Sequence, residues 1–231
     1  MTEICGFLHE KMQFEMQENM VSKTISDRWI PGAVCAIMAL IKHSGGNTMK
    51  LMIASDIHGS AKWCRAMLDA FHAEGADRLL LLGDLLYHGP RNDLPDEYAP
   101  KQVIAMLNDV ADRLLCVRGN CEAEVDQMVL NFPVMADYCA LMWENHVIYA
   151  THGHLHGEDN PPPIGKNGLL LCGHTHVPGC HRHETFTYLN PGSTSIPKNG
   201  SAHSYAVLEG ATMVWKDLTG GEFLREQLWQ D

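Results

Sequence analysis

From Met49 onward the chain repeats a short apolar run, a polar residue at the end of that run, and a stretch with apolar residues at helical spacing. This repeat is typical of βαβ units, in which parallel strands alternate with helices. Residues 51–55 predict the first strand, and Trp63, Met67 and Phe71 lie four apart on one face of the helix that follows. The first half of this region is therefore expected to be α/β.

The next elements have signals of their own. Ser60 can accept a hydrogen bond at the start of the first helix, and Pro100 is a typical first residue of a second helix. Residues 79–82 and 114–117 predict the second and third strands, and residues 122–130 predict a short third helix.

Beyond Pro133 the helical spacing disappears and strand patterns dominate. Residues 139–143 and 146–150 predict a hairpin joined by Glu144 and Asn145. Further strands are expected at residues 169–172, 185–189, 204–208 and 213–217. The C-terminal half is therefore expected to be mainly β, which implies a second sheet.

Residues 1–48 differ from the rest, because they contain no strand followed by a turn and end in the loose stretch 44–48. We expect a domain at residues 49–231 preceded by an N-terminal extension. Two interpretations of the extension are open. It is translated upstream sequence, since Gly45-Gly46 shortly before Met49 is what a purine-rich ribosome-binding site would encode, or it is an ordinary disordered or helical arm.

The size and charge of the chain narrow the function classes. With 231 residues, of which 45% are hydrophobic, the chain fits one α/β domain better than two. Its 17 Lys and Arg against 28 Asp and Glu give a formal net charge of -11, which disfavours generic binding to nucleic acid or to an anionic membrane. A small substrate fits better, and bound divalent metals would reverse the charge at one spot.

The sequence favours a cytoplasmic protein. Its eight cysteines are scattered without a CxxC pair, which fits reduced thiols, and the first residues do not resemble a signal peptide. The apolar stretch 30–41 contains Pro31 and Gly32 and is shorter than the roughly 20 residues that span a bilayer. The sequence does not decide the oligomeric state, and a homo-oligomer is compatible with it.

Five of the predicted strands end in, or close to, residues that can bind a metal. Because ligand sites of open α/β sheets lie beyond the carboxyl ends of the strands, residues far apart in sequence can meet there. Each fragment alone has a bland alternative: Asp56 and His58 could cap a helix, and Gly83-Asp84 could be a turn. The ordered set is hard to explain as a series of loops. It comprises Asp56, His58, Asp84, Asn120, His152, His174 and His176.

The order of these motifs resembles the calcineurin-like metallophosphoesterase superfamily. The matching motifs are DxH at residues 56–58, GD at 83–84, GN at 119–120, a histidine at 152 and GHxH at 173–176. Within the superfamily, small bacterial and archaeal phosphodiesterases are similar at residues 54–60, 88–92, 118–121 and 190–193. The resemblance extends from Met49 to the C-terminus.

The resemblance implies an α/β fold, a four-layer αββα sandwich of two mixed sheets flanked by helices, in agreement with the βαβ start and the β-rich end. It also implies a pair of metal ions with Asp84 as the bridge between them. Asp56, His58 and His176 would hold the first ion, and Asn120, His152 and His174 would hold the second.

The implied activity is that of a dinuclear-metal-dependent phosphodiesterase whose nucleophile is a hydroxide bound by the metals. Asp84 and Asn120 are then catalytic as well as metal-binding. The nitrogen and oxygen ligands suit Mn, Fe, Co, Ni or Zn, and the resemblance favours Mn²⁺. A phosphomonoesterase or a nucleotide phosphatase of the same fold is the alternative.

Cys121 stands where most members of the superfamily have a histidine after the GN motif. That histidine can protonate the leaving group, whereas a thiol with an ordinary pKa of about 8.5 is a weak donor. We therefore expect diesters with stable leaving groups to be better substrates than alkyl monoesters. A packing role beside the metals is the alternative for Cys121, and a nucleophilic role is unnecessary when two metals supply the nucleophile.

Substrate contacts are expected from the loop at residues 85–98, which is rich in Gly, Pro, Asn and Asp. His88 and Arg91 on this loop are candidate phosphate contacts. Arg118 could also reach phosphate, or it could pair with a carboxylate. Two further histidines either extend the site or lie on the surface without a role: His154 and His156.

Two interpretations from other classes compete with the enzyme. The same fold serves as a non-catalytic protein-interaction scaffold in the retromer complex, but that use normally accompanies damaged ligands, and all seven are intact here. A structural zinc protein is disfavoured, because closed zinc sites favour four clustered Cys and His ligands. We therefore expect an enzyme that acts on a small phosphodiester.

Overall fold

The computed structural model describes residues 37–41 and 48–229. Its helices are α1 (Ala61–Ala73), α2 (Pro100–Asn108), a 3₁₀ turn (Ala111–Arg113) and α3 (Glu124–Val129). Its strands are β1 (Ile37–Ile41), β2 (Lys50–Ala54), β3 (Arg78–Leu81), β4 (Leu114–Cys116), β5 (Tyr138–Trp143), β6 (His146–Thr151), β7 (Gly168–Leu171), β8 (Gly179–Arg182), β9 (Phe186–Asn190), β10 (Ser204–Glu209), β11 (Thr212–Asp217) and β12 (Glu222–Gln227). None of the helices in this part of the chain is long and apolar enough to cross a membrane.

The strands form two mixed six-stranded sheets. The first has the order β12-β11-β10-β2-β3-β4, with β2, β3 and β4 parallel and the C-terminal strands antiparallel. The second has the order β1-β5-β6-β7-β9-β8, in which β6, β7 and β9 are parallel. The predicted sandwich of two mixed sheets is confirmed. The candidate ligands follow five of these strands, namely β2, β3 and β4 of the first sheet and β6 and β7 of the second.

The main core lies between the two sheets. Leu51 and Ile53 of β2 are fully buried and belong to the same apolar cluster as Leu141 of β5 and Leu171 of β7. Because side chains alternate across a strand, Met52 of β2 points to the opposite face and joins a second cluster with helices α1 and α2. Both faces of β2 are therefore covered, which holds its carboxyl end in place.

The helices α1 and α2 cover the first sheet, with Met67 and Phe71 of α1 fully buried. Ser60 caps α1 as predicted, since its Oγ accepts the backbone N–H of Trp63. A smaller cluster covers the outer face of the second sheet, where Ile164 from a loop packs against β7 and β9. None of the described helices contributes to that cluster, so the predicted helical layer is seen on the first sheet.

Strands β1, β8 and β12 were not predicted. The last two lie at sheet edges, and β12 has three charged residues and only two apolar ones. Strand β1 lies within the predicted extension and pairs with β5. Residues 1–36 and 42–47 lie outside the described part of the chain, so the two interpretations of the extension stay predictions.

Candidate metal centre

The loops after β2, β3, β4, β6 and β7 meet at one edge of the sandwich. The backbone N–H of Asp56 donates to Gly83 O (3.1 Å), and that of His58 donates to Asp84 O (2.8 Å), which ties the first two loops together. These loops carry the predicted ligands, which the structure brings into one cluster. Its members are Asp56, His58, Asp84, Asn120, His152, His174 and His176.

Asp56, His58 and His176 form one half of this cluster. The Nε2 atom of His176 lies 3.2 Å from Asp56 Oδ1, and the Nε2 atoms of His58 and His176 lie 3.3 Å apart. All three side chains are buried. Asp56 Oδ1 is also buried and accepts no hydrogen bond from the described residues, which leaves an oxygen for a cation to satisfy.

Asn120, His152 and His174 form the other half. The Nε2 atom of His152 lies 3.2 Å from Asn120 Oδ1 and 3.2 Å from His174 Nδ1. Asp84 connects the halves, because its Oδ2 lies 3.7 Å from His58 Nε2 and 3.5 Å from His152 Nε2. One carboxylate therefore faces both groups of ligands.

Three of the histidines are held by backbone carbonyls. His58 Nδ1 donates to Tyr87 O at 2.8 Å, and His152 Nδ1 donates to Leu82 O at 2.6 Å. His176 does the same with a carbonyl of a later loop, at 2.5 Å. Because a carbonyl only accepts, Nδ1 carries the proton and Nε2 is directed into the cluster. These imidazoles are oriented before any ligand binds.

The backbone at the cluster is unusual. A non-glycine residue with positive φ is uncommon, although Asp, Asn and His adopt it more readily than most. Five of the seven candidate ligands have positive φ, and such clustering is typical of functional sites. They are Asp56 (59°), His58 (48°), Asp84 (56°), His174 (64°) and His176 (63°).

Glu122 is a supporting residue that the sequence did not predict. Its buried carboxylate accepts the backbone N–H of Asp84 at 2.9 Å, the N–H of Leu85 at 2.7 Å, and the N–H of Gly119. Burial and the charge of Asp84 raise the pKa of Glu122 to about 7, against the effect of the three N–H donors. Glu122 thus joins the loop of the central carboxylate to the loop that carries Asn120.

A second support comes from the loop after β9. The hydroxyls of Ser193 and Ser195 donate to Asp56 O at 3.1 and 3.0 Å, and Ile196 provides the carbonyl that holds His176. The sequence signal for this loop was Asn-Pro-Gly-Ser at residues 190–193, which pointed to the site only through the resemblance to the superfamily. The loop therefore holds the backbone of Asp56 and the ring of His176, which both belong to the first half of the cluster.

The carboxylates of the cluster favour the protonated, positively charged form of the histidines beside them. Burial acts to raise the pKa of Asp56, but the close imidazoles of His176 and His58 outweigh it and hold the pKa well below its usual range. Burial acts to lower the pKa of His152, but its interaction with Asp84 outweighs it and raises the pKa to about 9. A divalent cation would replace these protons, so metal binding should release protons.

The cluster opens into a cleft of about 530 Å³. Arg91 lines it, as predicted for a substrate contact, and so does Lys198, which the sequence did not single out. His88 and Arg118 are not among the described residues that line it. The ring of His88 instead lies between Tyr87 and Tyr98, with ring centroids at 4.7 and 5.3 Å.

Cys121 lines the same cleft, with its Sγ 3.2 Å from Asn120 Nδ2. Burial and the charge of Asp84 raise its pKa far above the ordinary value, so the thiol keeps its proton. The ring of His154 lies 5.4 Å from that of His152, and burial together with the His152 charge lowers the pKa of His154 to about 4. His156 contributes its backbone carbonyl to the hydroxyl of Thr151 (2.7 Å).

The donor set fits divalent metal ions. The ligand atoms of Asp56, His58 and His176 lie within 4.8 Å of one another, and so do those of Asp56, Asp84 and His152. Imidazole nitrogens and carboxylate oxygens suit several transition metals and do not choose among them.

Known proteins are similar to this chain in sequence and in structure. The model of the calcineurin-like phosphoesterase superfamily domain matches residues 49–213. Phosphodiesterase YfcE of Escherichia coli K12 is 48% identical over 161 residues, which are 70% of this chain and 88% of YfcE. A solved structure of the E. coli phosphoesterase YfcE has a TM-score of 0.76 and 43% identity, and the match covers 78% of this chain and 100% of that one.

More distant matches are found in sequence and in fold. The probable metallophosphoesterase YsnB of Bacillus subtilis is 25% identical over 186 residues, which are 75% of this chain and 94% of YsnB. A solved structure of a Vps29 single mutant from Entamoeba histolytica has a TM-score of 0.52 at 19% identity, covering 77% of this chain and 97% of that one. The Vps29 likeness concerns the fold alone.

Proposed function

Because the chain belongs to the calcineurin-like phosphoesterase superfamily, we propose that it is a metal-dependent phosphodiesterase with two divalent ions in the cluster described above. The position of Asp84 carries this proposal, because its carboxylate faces both groups of ligands. The 48% identity to a phosphodiesterase supports a diester as the substrate.

Each half of the cluster would hold one ion. Asp56, His58 and His176 would hold the first ion with a carboxylate and two imidazoles, and Asp84 would contribute to both sites. The second ion would be held by Asn120, His152 and His174. Two such ions supply a positively charged centre that polarises the phosphate and activates water.

Residues of the protein hold the metal ligands in position and would neutralise the charge of the substrate phosphate. Asp84 sets the separation of the two ligand groups, and the backbone bonds at Nδ1 of His58 and His152 keep their Nε2 atoms directed inward. Arg91 and Lys198 line the cleft and would attract the anionic phosphate of the substrate.

The raised pKa of Cys121 bears on substrate choice. Its thiol holds its proton tightly and is a poor general acid, so the leaving group must depart without a strong donor at this position. This supports diesters with stable leaving groups over alkyl monoesters. We favour Mn²⁺ as the metal, the cytoplasm as the location and residues 49–231 as the domain, on the grounds given from the sequence.

The test is to strip the protein of metal, add back Mn²⁺, and compare an aryl phosphodiester with the matching monoester. Activity should return with the metal and should be higher on the diester. Asp84→Asn should lose most of it, whereas Asp69→Asn, a change of the same kind at an exposed position of α1, should keep it. Full activity without metal, or in Asp84→Asn, would refute the proposal.

The same experiment separates the alternatives. Preference for the monoester would favour a phosphomonoesterase or a nucleotide phosphatase. No metal-dependent hydrolysis of either ester would favour a non-catalytic scaffold, which the intact ligand set argues against.

A further inference from the structure

A second pocket of about 520 Å³ opens beside the metal cleft. Arg91 and Asn92 line both, so the two spaces adjoin at these residues. The volume is within the range of about 300–1,000 Å³ that is typical of sites for small ligands. A group attached to a phosphate in the metal cleft can therefore extend into this pocket.

One wall of the pocket is an aromatic pair. The rings of Trp63 and His203 are stacked, with centroids 3.6 Å apart and planes at 15°. Hydrogen bonds hold both residues, since His203 Nδ1 donates to Thr194 O at 2.9 Å and the backbone N–H of Trp63 donates to Ser60 Oγ. His203 covers one face of the Trp63 ring and the ammonium of Lys62 lies over the other, 4.5 Å from the ring centre, so the pair offers the pocket the free face of His203, supported from behind by Trp63.

The other lining groups set the polarity. Leu94 and Ile196 provide apolar surface, and the exposed carboxylates of Asp93 and Asp96 also line the pocket. These carboxylates disfavour a second phosphate, and they can accept hydrogen bonds from hydroxyl or amino groups. Arg91 is a cation that lines both the pocket and the metal cleft.

We propose that this pocket, here called the nucleoside pocket, binds the nucleoside of a nucleotide phosphodiester whose phosphate occupies the metal cleft. The base would stack on the face of the His203 ring that Trp63 does not cover, because aromatic side chains stack with bases. The sugar hydroxyls would donate to Asp93 and Asp96. This inference rests on the proposed diesterase function.

A cationic substituent such as choline is the main competitor, because aromatic rings and carboxylates also bind quaternary ammonium groups. The ammonium of Lys62 already lies 4.5 Å from the centre of the Trp63 ring and pairs with Asp96 at 2.7 Å. The positive charge of Lys62 would repel a second cation, whereas it would not repel an uncharged base. The charges favour the nucleoside.

The experiment compares three diesters that release the same p-nitrophenolate, using the full chain loaded with Mn²⁺. They are thymidine 5′-(p-nitrophenyl phosphate), methyl p-nitrophenyl phosphate and p-nitrophenyl phosphorylcholine. The thymidine ester should exceed the methyl ester in kcat/KM by about tenfold, mainly through a lower KM. Equal values would overturn the nucleoside pocket and leave the diesterase standing. Preference for the choline ester would assign the pocket to a cationic group instead.

Two variants test the wall and the carboxylates separately. His203→Ala and Asp93→Asn should each reduce the ratio between the thymidine and methyl esters towards one. His146→Ala is the matched control, because His146 stacks on Trp229 in the same way (4.2 Å, 26°) on the other sheet. An unchanged ratio in both pocket variants would overturn the inference, and no hydrolysis of any diester would refute the diesterase itself.

Discussion

The carboxylate of Glu122 accepts a hydrogen bond from the backbone N–H of Asp84, with Oε2 2.9 Å from the nitrogen. Asp84 in turn accepts the backbone N–H of Cys121 at 2.9 Å through its Oδ1. Each of the two carboxylates therefore accepts a backbone N–H from the loop that carries the other. The central carboxylate is fixed by a second carboxylate that does not face the metal cleft.

Glu122→Gln should weaken metal binding. The amide nitrogen of Gln cannot accept an N–H, so at least one of the three buried donors loses its partner, which should reduce stability by about 1–3 kcal/mol. Loss of such support around metal ligands typically lowers affinity by about 10–100-fold. Mn²⁺ titration and guanidinium unfolding measure the two effects. Glu124→Gln, at an exposed position of α3, should change neither, and unaltered Mn²⁺ affinity in Glu122→Gln would contradict the supporting role.

Gly173→Ala should displace Asp56. A Cβ at this position would collide with Ser55 Oγ and lie 3.0 Å from Asp56 Oδ2. We expect a loss of about 1–3 kcal/mol in the free energy of unfolding, together with weaker Mn²⁺ binding. Gly165→Ala is the control, because nothing lies within 4 Å of the added carbon there. Similar stability and metal affinity for the two variants would show that the contact is unimportant.

Cys121→His should improve activity on poor leaving groups. An imidazole at this position can donate a proton at neutral pH, which the thiol with its raised pKa does poorly. The ratio of alkyl to aryl monoester hydrolysis should rise by about 10-fold or more. Cys121→Ser, which has no such donor, should leave the ratio unchanged. Equal or lower activity of Cys121→His on all monoesters would count against this explanation.

Arg91→Ala and Arg118→Ala should differ. Arg91 lines the metal cleft and Arg118 does not, so only the first change should raise KM for a diester, by about tenfold for a contact of about 1.5 kcal/mol. Steady-state kinetics on one aryl diester is sufficient. A comparable rise for Arg118→Ala would restore it as a substrate contact.

Glu74 should make the free energy of unfolding depend on pH in the acid range. Burial acts to raise its pKa, but hydrogen bonds from Lys216 (2.6 Å) and Tyr205 (2.9 Å) outweigh it and lower the pKa below 4.5. Its contribution is therefore present above the unfolded pKa and is lost as pH falls through the lower folded pKa. Allowing for solvent screening, we expect on the order of 0.5 kcal/mol.

Glu74→Gln should make the unfolding free energy less sensitive to pH on the acid side of 4.5, as measured by urea unfolding at a series of pH values. Glu184→Gln, at an exposed position, should keep the dependence of the unchanged chain. Identical pH profiles for the Glu74 variant and the unchanged chain would contradict the assignment.

The ligand cluster could be predicted because each ligand follows an apolar strand, and the topology then brings the strand ends together. Glu122 could not be predicted in the same way, since its carboxylate acts on backbone N–H groups of loops distant in sequence. Lys198 is an exposed loop residue that reaches the cleft only because its loop folds back towards His176.

The strands that escaped prediction share a different cause. Strands β8 and β12 lie at or near exposed edges, where one-sided burial does not impose an apolar run. Trp63 shows the reverse error, because helical spacing placed it on the core face of α1, whereas it is half-buried and stacks on His203. Hydrophobic pattern alone does not distinguish a core residue from the wall of a pocket.

At the ligand positions, the left-handed backbone conformation and metal binding favour different residues. Glycine would suit the conformation of Asp84 or His174 best, but it has no atom that could bind a metal. Selection for a robust fold and selection for activity therefore favour different residues at the same positions. A lineage that no longer needed the chemistry would gain stability by replacing these side chains with glycine.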